Sequence, residues 1–317
     1  MLDRMRIVSL LPSATEIVFA LGLGDELVGR THECDYPPEV VEVPVVTAGV
    51  GGSPDEASAA IHERVAHATH GGTSLYRLDR QALAAARPDL ILTQGLCEVC
   101  AVSYREVTDA VRAMDVDITV VSLEPTSIEG ILNSISTVGA MSEAEDEAVG
   151  LLELLRERLA AIENRVLERR LAGVPPRRVV CLEWLDPPFA AGHWVPEQVR
   201  RAGGWELLGR EGESSVQTSW DDVRAVDPDQ LMMMPCGFDA NGTAREFDRM
   251  ARPPWFDELR AVRRGELFAL DGSGYFSRPG PRVIDGIALL AELFDPEGFV
   301  DVAPPEAWIP VGPAYPR

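Results

Sequence analysis

The residues from Met141 to Pro176 constrain this chain most. Val149, Leu152, Leu155, Leu159, Ile162 and Val166 recur at steps of three and four, the apolar stripe of one helix. Ser142 with Glu145 reads as a capping box at its start. Arg165, Arg169 and Arg170 suit the negative end of the helix dipole, and Gly173, Pro175 and Pro176 stop the helix. About 30 residues at ~1.5 Å rise predict a rod of roughly 45 Å, well beyond the ordinary helix of about 11–12 residues. A stretch of domain size lies on each side. The reading is a spine between two lobes: an N-terminal lobe over 1–140, a connecting helix over 141–176, and a C-terminal lobe over 177–317 with a proline-rich tail. A long surface helix or a coiled-coil arm is the alternative.

Both flanks alternate strands and helices. Residues 6–11 form an apolar run that ends in Pro12-Ser13 and reads as a buried strand; residues 13–16 read as a second capping box. Residues 178–183 repeat that kind of strand after the spine. The order helix, Pro-Asp, strand occurs twice, at 87–93 and again around Pro228-Asp229. This predicts two α/β lobes with mainly parallel sheets. Ligands of such sheets bind beyond the carboxyl ends of the strands, here the loops at 11–13, 31–38, 93–103, 184–194, 235–239 and 272–279.

Charge narrows the partners. The 51 acidic residues against 29 basic ones, all arginine, give a net charge of −22. Such a surface repels a phosphate backbone, so nucleic acid is not expected as a partner. The first residues run straight into the first strand without an apolar leader, so a cytosolic location is expected, or an extracytoplasmic one if a leader has been removed.

Five cysteines are an odd number and not the framework of a disulfide-rich secreted domain. Cys97-Glu98-Val99-Cys100 has the spacing used for zinc, Fe–S clusters and redox disulfides. Cys34 and Cys236, with His32 or His193, fall in other loops beyond strand ends and would complete a metal site with Cys97 and Cys100. Buried or loosely packed thiols are the competing reading, and Cys181, mid-strand, reads as a small buried hydrophobe. There is no Gly-x-Gly-x-x-Gly, Walker or Gly-x-Ser-x-Gly sequence. No acid–base pair or triad stands out, so an enzyme is not expected.

Several segments together resemble a known family. Arg6-Ile7-Val8-Ser9-Leu10-Leu11-Pro12-Ser13-Ala14-Thr15-Glu16, the loop Asp35-Tyr36-Pro37-Pro38, and Arg87-Pro88-Asp89-Leu90-Ile91 are similar to the cobalamin-binding, substrate-binding proteins of ABC importers. Pro187-Pro188-Phe189, Ala202-Gly203-Gly204 and Ser277-Arg278-Pro279-Gly280-Pro281-Arg282 match the second lobe of that family, which belongs to the iron-siderophore and vitamin B12 binding class. The resemblance implies an α/β fold of two Rossmann-like lobes joined by one long backbone helix, as in class III periplasmic binding proteins. It also implies a corrinoid clasped between the lobes, small hinge motion, no required cofactor, and an ABC permease as partner. On this reading Tyr36, Tyr76, Trp194 and Phe276 meet the apolar faces of the ligand. Ser13, Gln94, Glu98 and Arg278 meet its polar edges, and His193, Trp220 and Tyr275 complete the lining. Two rivals remain: a metal-trafficking or redox protein using the cysteines, and a cytosolic enzyme acting on a corrinoid or tetrapyrrole.

Overall fold

The computed structural model describes residues 4–49, 57–71, 76–94, 104–114 and 117–312. The chain divides into two compact units. The first comprises Met1–Glu56, Ala60–Pro125 and Glu129–Leu154; the second comprises Ala57–Ala59, Thr126–Ile128 and Leu155–Arg317.

In the first unit the elements run β1 (Ile7–Ser9), α1 (Pro12–Ala20), β2 (Leu27–Arg30), β3 (Thr47–Gly49), α2 (Ser58–Gly71), β4 (Tyr76–Leu78), α3 (Arg80–Ala86), β5 (Leu90–Thr93), α4 (Tyr104–Met114), β6 (Thr119–Ser122) and α5 (Ile128–Met141), then the start of α6 (Glu145–Leu171). The sheet order is β2-β1-β5-β6, every pair parallel. Its middle strands carry apolar residues on both faces, as a sheet covered on both sides requires. Ile7, Val8, Ile91 and Leu92 are fully buried, and Val8 and Ile91 pack with Leu83, Val107 and Val46. α1 opens on Pro12 with Leu11 as an uncapped N-cap. Pro has no N–H to orphan in the first turn, so the expected cap at Ser13 is not needed and does not form.

α6 is 27 residues long, or roughly 40 Å. Its buried face is Ala144, Ala148, Leu152, Leu155 and Leu159, while Val149 is exposed. The capping box expected of Ser142 and Glu145 is absent. Ser142 Oγ instead donates back to the Val138 carbonyl at 2.7 Å. Glu143 takes a left-handed φ of 56°, and the Ala144 N–H donates to Gly139 O at 2.8 Å. That is a Schellman closure of α5, so Ser142 ends one helix rather than starting the next. The far end of α6 closes in the same way: Gly173, at φ 92°, donates to Arg170 O, and Val174 donates to Arg169 O.

In the second unit the chain continues through β7 (Arg177–Leu185), β8 (Pro188–Ala190), α7 (Val195–Arg201), β9 (Gly204–Glu206), β10 (Val216–Gln217), α8 (Trp220–Val226), β11 (Gln230–Met233), α9 (Ala240–Arg249), α10 (Arg260–Arg264), β12 (Leu267–Leu270), α11 (Gly272–Tyr275), α12 (Val283–Phe294) and β13 (Trp308–Pro310). The sheet order is β10-β8-β7-β11-β12-β13, with β9 also on β7. β7, β9, β11 and β12 are parallel; β8 pairs antiparallel with β7, β10 antiparallel with β8, and β13 antiparallel with β12. One core forms from Val180, Leu182, Leu231, Met233, Phe247, Phe256 and Leu267. The proline-rich tail adds β13 to the edge of β12.

Candidate ligand site

All four strands of the first sheet end at one edge. Ser13, just past β1, is 3% exposed, its backbone held in the first turn of α1. Beyond β2, Arg30 braces the following loop by donating to the carbonyls of Thr31, Cys34 and Val43. His32 sits inside this brace. Its Nδ1 lies 2.8 Å from Thr47 Oγ1, its Nε2 lies 3.2 Å from Glu33 Oε1, and its ring packs on Tyr76 at 5.3 Å. Cys34 departs from the expectation of an open loop thiol: it is 4% exposed, with Sγ 3.0 Å from Thr15 Oγ1 on α1. Tyr36 is 44% exposed, and Gln94 is half-buried just past β5. Glu98, Cys97 and Cys100 lie outside the described residues.

In the second unit the edge beyond β7, β11 and β12 gathers three loops. The backbone of the third approaches the second closely: a Cβ on Gly272 would stand 2.4 Å from Pro235 O and 2.6 Å from Met234 O. The Ser273 N–H also donates to Phe238 O at 3.2 Å. Asp239 and Asp271 cap short helical starts by accepting from Gly242 and Gly274. Burial pushes the Asp271 carboxyl above its ordinary range. Arg282 stacks over Tyr275, 5.5 Å from the ring centroid, and burial pushes that phenol upward. Arg278 is half-buried in the same segment.

Two expected ligand contacts prove to be internal. The Trp194 indole N–H donates to Phe276 O at 2.9 Å, and Trp194 and Phe276 are 7% and 2% exposed. They tie the 192–194 loop to the segment after β12. His193 adopts φ 53°, exchanges backbone hydrogen bonds with Glu213 and Gly212, and is pushed below the usual histidine range by burial. Trp220 joins the core by packing edge-on against Phe256 at 5.4 Å. Cys236 is half-buried at the end of β11. Among the described residues, no group of three or more His, Cys, Asp or Glu side chains is placed to hold a metal ion.

The sequence reading passed over Trp184 and Phe238 as site residues. They meet edge to face with centroids 6.0 Å apart and planes at 67°. Trp184 ends the strand expected at 178–183, and Phe238 sits in the loop expected at 235–239. Trp184 is the next-to-last residue of β7 and Phe238 lies past the end of β11, so nearness to the carboxyl ends of strands was the available signal. The edge therefore offers two aromatic faces, a second pair in Tyr275 and Arg282, and the cation of Arg278. That is a surface suited to a large, flat, largely apolar molecule with polar groups at its rim.

The family model of the periplasmic binding protein matches residues 7–273. The chain belongs to this family. Its members are binding proteins and not enzymes. The chain is 24% identical over 286 residues to a vitamin B12-binding protein of Vibrio cholerae, covering 89% of this chain and 86% of the relative. It is 25% identical over 300 residues to the substrate-binding lipoprotein YvrC of an ABC transporter of Bacillus subtilis (strain 168), covering 93% and 81%. Its fold superposes on a periplasmic heme-binding protein from Pseudomonas aeruginosa with a TM-score of 0.69 at 20% identity, over 92% and 93% of the two chains. The two-lobed α/β fold and the binding class implied by the sequence motifs agree with these findings. The cytosolic expectation does not. The family is periplasmic and the Bacillus relative is a lipoprotein, both pointing outside the cytoplasm. That expectation rested on the first residues alone, and leaders are cleaved from mature chains, so those residues are poor witnesses of compartment.

Proposed function

We propose that this protein is the substrate-binding component of an ABC importer and that its ligand is a corrinoid or a closely related metal chelate. The observation that carries the reading is the group beyond the second sheet: Trp184 edge-on to Phe238, with Tyr275 under Arg282 and Arg278 beside them in sequence. Aromatic faces take the flat apolar body of such a ligand, and the guanidinium groups take its rim oxygens. The B12-binding relative from Vibrio cholerae supports the same class.

A heme is the second reading, favoured by the likeness to the heme-binding protein from Pseudomonas aeruginosa. Charge separates the two. A net charge of −22 builds a negative field that slows and weakens binding of an anionic ligand. Heme carries two propionates; the rim of a corrinoid is mostly neutral carboxamide. The corrinoid is therefore the primary assignment. Titration of the protein with cyanocobalamin, hemin and a ferric hydroxamate, followed by tryptophan fluorescence and ligand absorbance, tests it. Saturable one-to-one binding that is tightest for cyanocobalamin is expected. Binding of hemin alone moves the assignment to heme, and binding of none of the three overturns it.

A further inference from the structure

Tyr275 ends α11, Arg282 stands just before α12, and residues 276–282 between them belong to no helix or strand. A helix of four residues such as α11 leaves its last carbonyls without partners of its own. Two side chains one turn apart, at the start of α7, take them. Trp194 Nε1 donates to Phe276 O at 2.9 Å, and Gln198 Nε2 donates to Tyr275 O at 3.1 Å. The same Gln198 nitrogen donates to Val283 O at 3.0 Å. One amide thereby holds both ends of the segment. At one end is the residue whose ring Arg282 covers; at the other is the residue that follows Arg282.

The packing around this amide is built to keep it there. Gln198 is fully buried, and its Oε1 has no hydrogen-bond partner among the described residues. A buried acceptor left unmade is costly. Turning the amide over would not relieve it, because the oxygen would then face two carbonyl oxygens. The two N–H bonds therefore fix both the place and the orientation of the side chain. α12 leaves room for it at Gly286. A Cβ there would stand 2.6 Å from Gln198 Nε2, 2.6 Å from Tyr275 O and 3.3 Å from Tyr275 Cβ. Glycine is among the poorest residues inside a helix. Its place in the first turn of α12 is explained by the amide and the carbonyl that pass against it.

We infer that Gln198 positions the Tyr275–Arg282 stack for the ligand: it touches no ligand itself, and its amide sets where the ring and the guanidinium stand. The inference rests on the proposed function and adds to it a buried residue on which affinity depends. Tyr275 is half-buried and keeps part of its ring open, whereas Gln198 is closed off behind it. A segment without regular structure would otherwise have to be ordered by the ligand, and that ordering weakens binding. With both of its ends held in the ligand-free chain, the stack is ready before the ligand arrives.

The test is a double-variant cycle on affinity, measured well below the melting temperature of every variant. The probe is cyanocobalamin, or hemin where the parent binds hemin alone. Gln198→Met keeps the length of the side chain and removes both donors. It is expected to melt lower than the parent and to bind the probe roughly three- to tenfold more weakly. Tyr275→Ala is expected to weaken binding as well. In the double variant the loss from Gln198→Met is expected to shrink below about twofold, because the amide then has no ring left to place. A role in stability alone would lower the melting point of Gln198→Met and leave its affinity at the parent's value, and that result overturns the inference. Losses that multiply in the double variant overturn it too, since the amide would then act by a route other than Tyr275. So does a Tyr275→Ala variant that binds as the parent does. Gly286→Ala pushes on the amide without removing it and is expected to show the same loss and the same dependence on Tyr275. It carries the test if Gln198→Met does not fold. In all these outcomes a parent that binds leaves the proposed function standing. A parent that binds neither probe removes the proposed function and this inference together.

Discussion

Asp89 stands to the first strand of its sheet as Asp229 stands to the first strand of the other. Each carboxylate accepts the backbone N–H of an arginine, Arg6 at 2.9 Å and Arg178 at 3.3 Å. Each arginine then turns its guanidinium to the carbonyls that end the helix just before its aspartate, Ala86 and Arg87 in one unit, Val226 and Asp227 in the other. Both helices stop on a left-handed residue, Arg87 at φ 44° and Asp227 at φ 41°. Asp89→Ala is expected to lower stability by about 1.5–3 kcal/mol, as loss of a charge-assisted hydrogen bond does, and Asp229→Ala by more, because Asp229 also accepts from Arg260 at 3.0 Å. The effects should add in the double variant, since the two carboxylates share no partner. Urea denaturation measures all three.

Acid sensitivity should be traceable to Asp295. Its hydrogen bonds with Arg169 hold this carboxyl below the ordinary aspartate range, and the second of them is 2.8 Å long. A depressed native pKa contributes stability that is present above the unfolded-state value of about 3.9 and is lost as pH falls through the native value. Asp295→Asn should therefore be less stable than the parent at pH 6. The gap should narrow progressively below about pH 4. Denaturation curves at a series of pH values check this; a gap that does not change with pH would contradict it.

Gly139 offers a test of helix packing in which the usual sign reverses. A glycine inside a helix ordinarily gives up about 1 kcal/mol relative to alanine. Here a Cβ at position 139 would stand 2.5 Å from Ala148 Cβ and 3.0 Å from Ala144 O. α5 and α6 would have to separate, so Gly139→Ala should destabilise by about 1–3 kcal/mol. Gly150, with nothing within 4 Å of its built Cβ, is the control, and Gly150→Ala should stabilise. Thermal melting of both variants decides it.

Thiol labelling should follow burial. Cys181 is fully buried, and burial with the neighbouring Glu206 pushes its thiol well up. Cys34 is 4% exposed against Thr15, whereas Cys236 is half-buried. Native-state alkylation followed by peptide mass spectrometry should modify Cys236 well before Cys34, and Cys181 last, because a protonated and inaccessible thiol is a poor nucleophile. Early loss of Cys181 would mean that the second sheet opens readily.

The parts of this molecule that could be read from sequence are those whose signal is local. The buried strands at Ile7–Ser9 and Leu90–Thr93 announce themselves as apolar runs, and the Gly173 stop becomes a left-handed closure of α6. The repeated Pro-Asp step shows in both units for the same reason: a helix end, a rigid turn and a strand lie next to one another in the chain. What escaped depends on distant partners. β8, β9, β10 and β13 have two or three residues each, too few for any alternation to show. Ser142 and Glu145 have the spacing of a capping box, but the left-handed turn at Glu143 assigns Ser142 to the helix before it. Whether an indole faces inward, as Trp194 does, or is left without an acceptor, as Trp184 is, depends on a carbonyl 82 residues away.

The pairing of β13 with β12 has a practical consequence for anyone who shortens this protein. Three residues cover that edge. Ala269 and Leu270 lie opposite Ile309 and Trp308, and Trp308 stacks edge-on against Phe268 at 5.6 Å. A chain trimmed before Trp308 would leave a fully buried hydrophobic strand with one side of its backbone unpaired, a template for strands of neighbouring molecules. Loss of soluble yield would then come from self-association of folded chains, with the carboxyl edge of the sheet untouched.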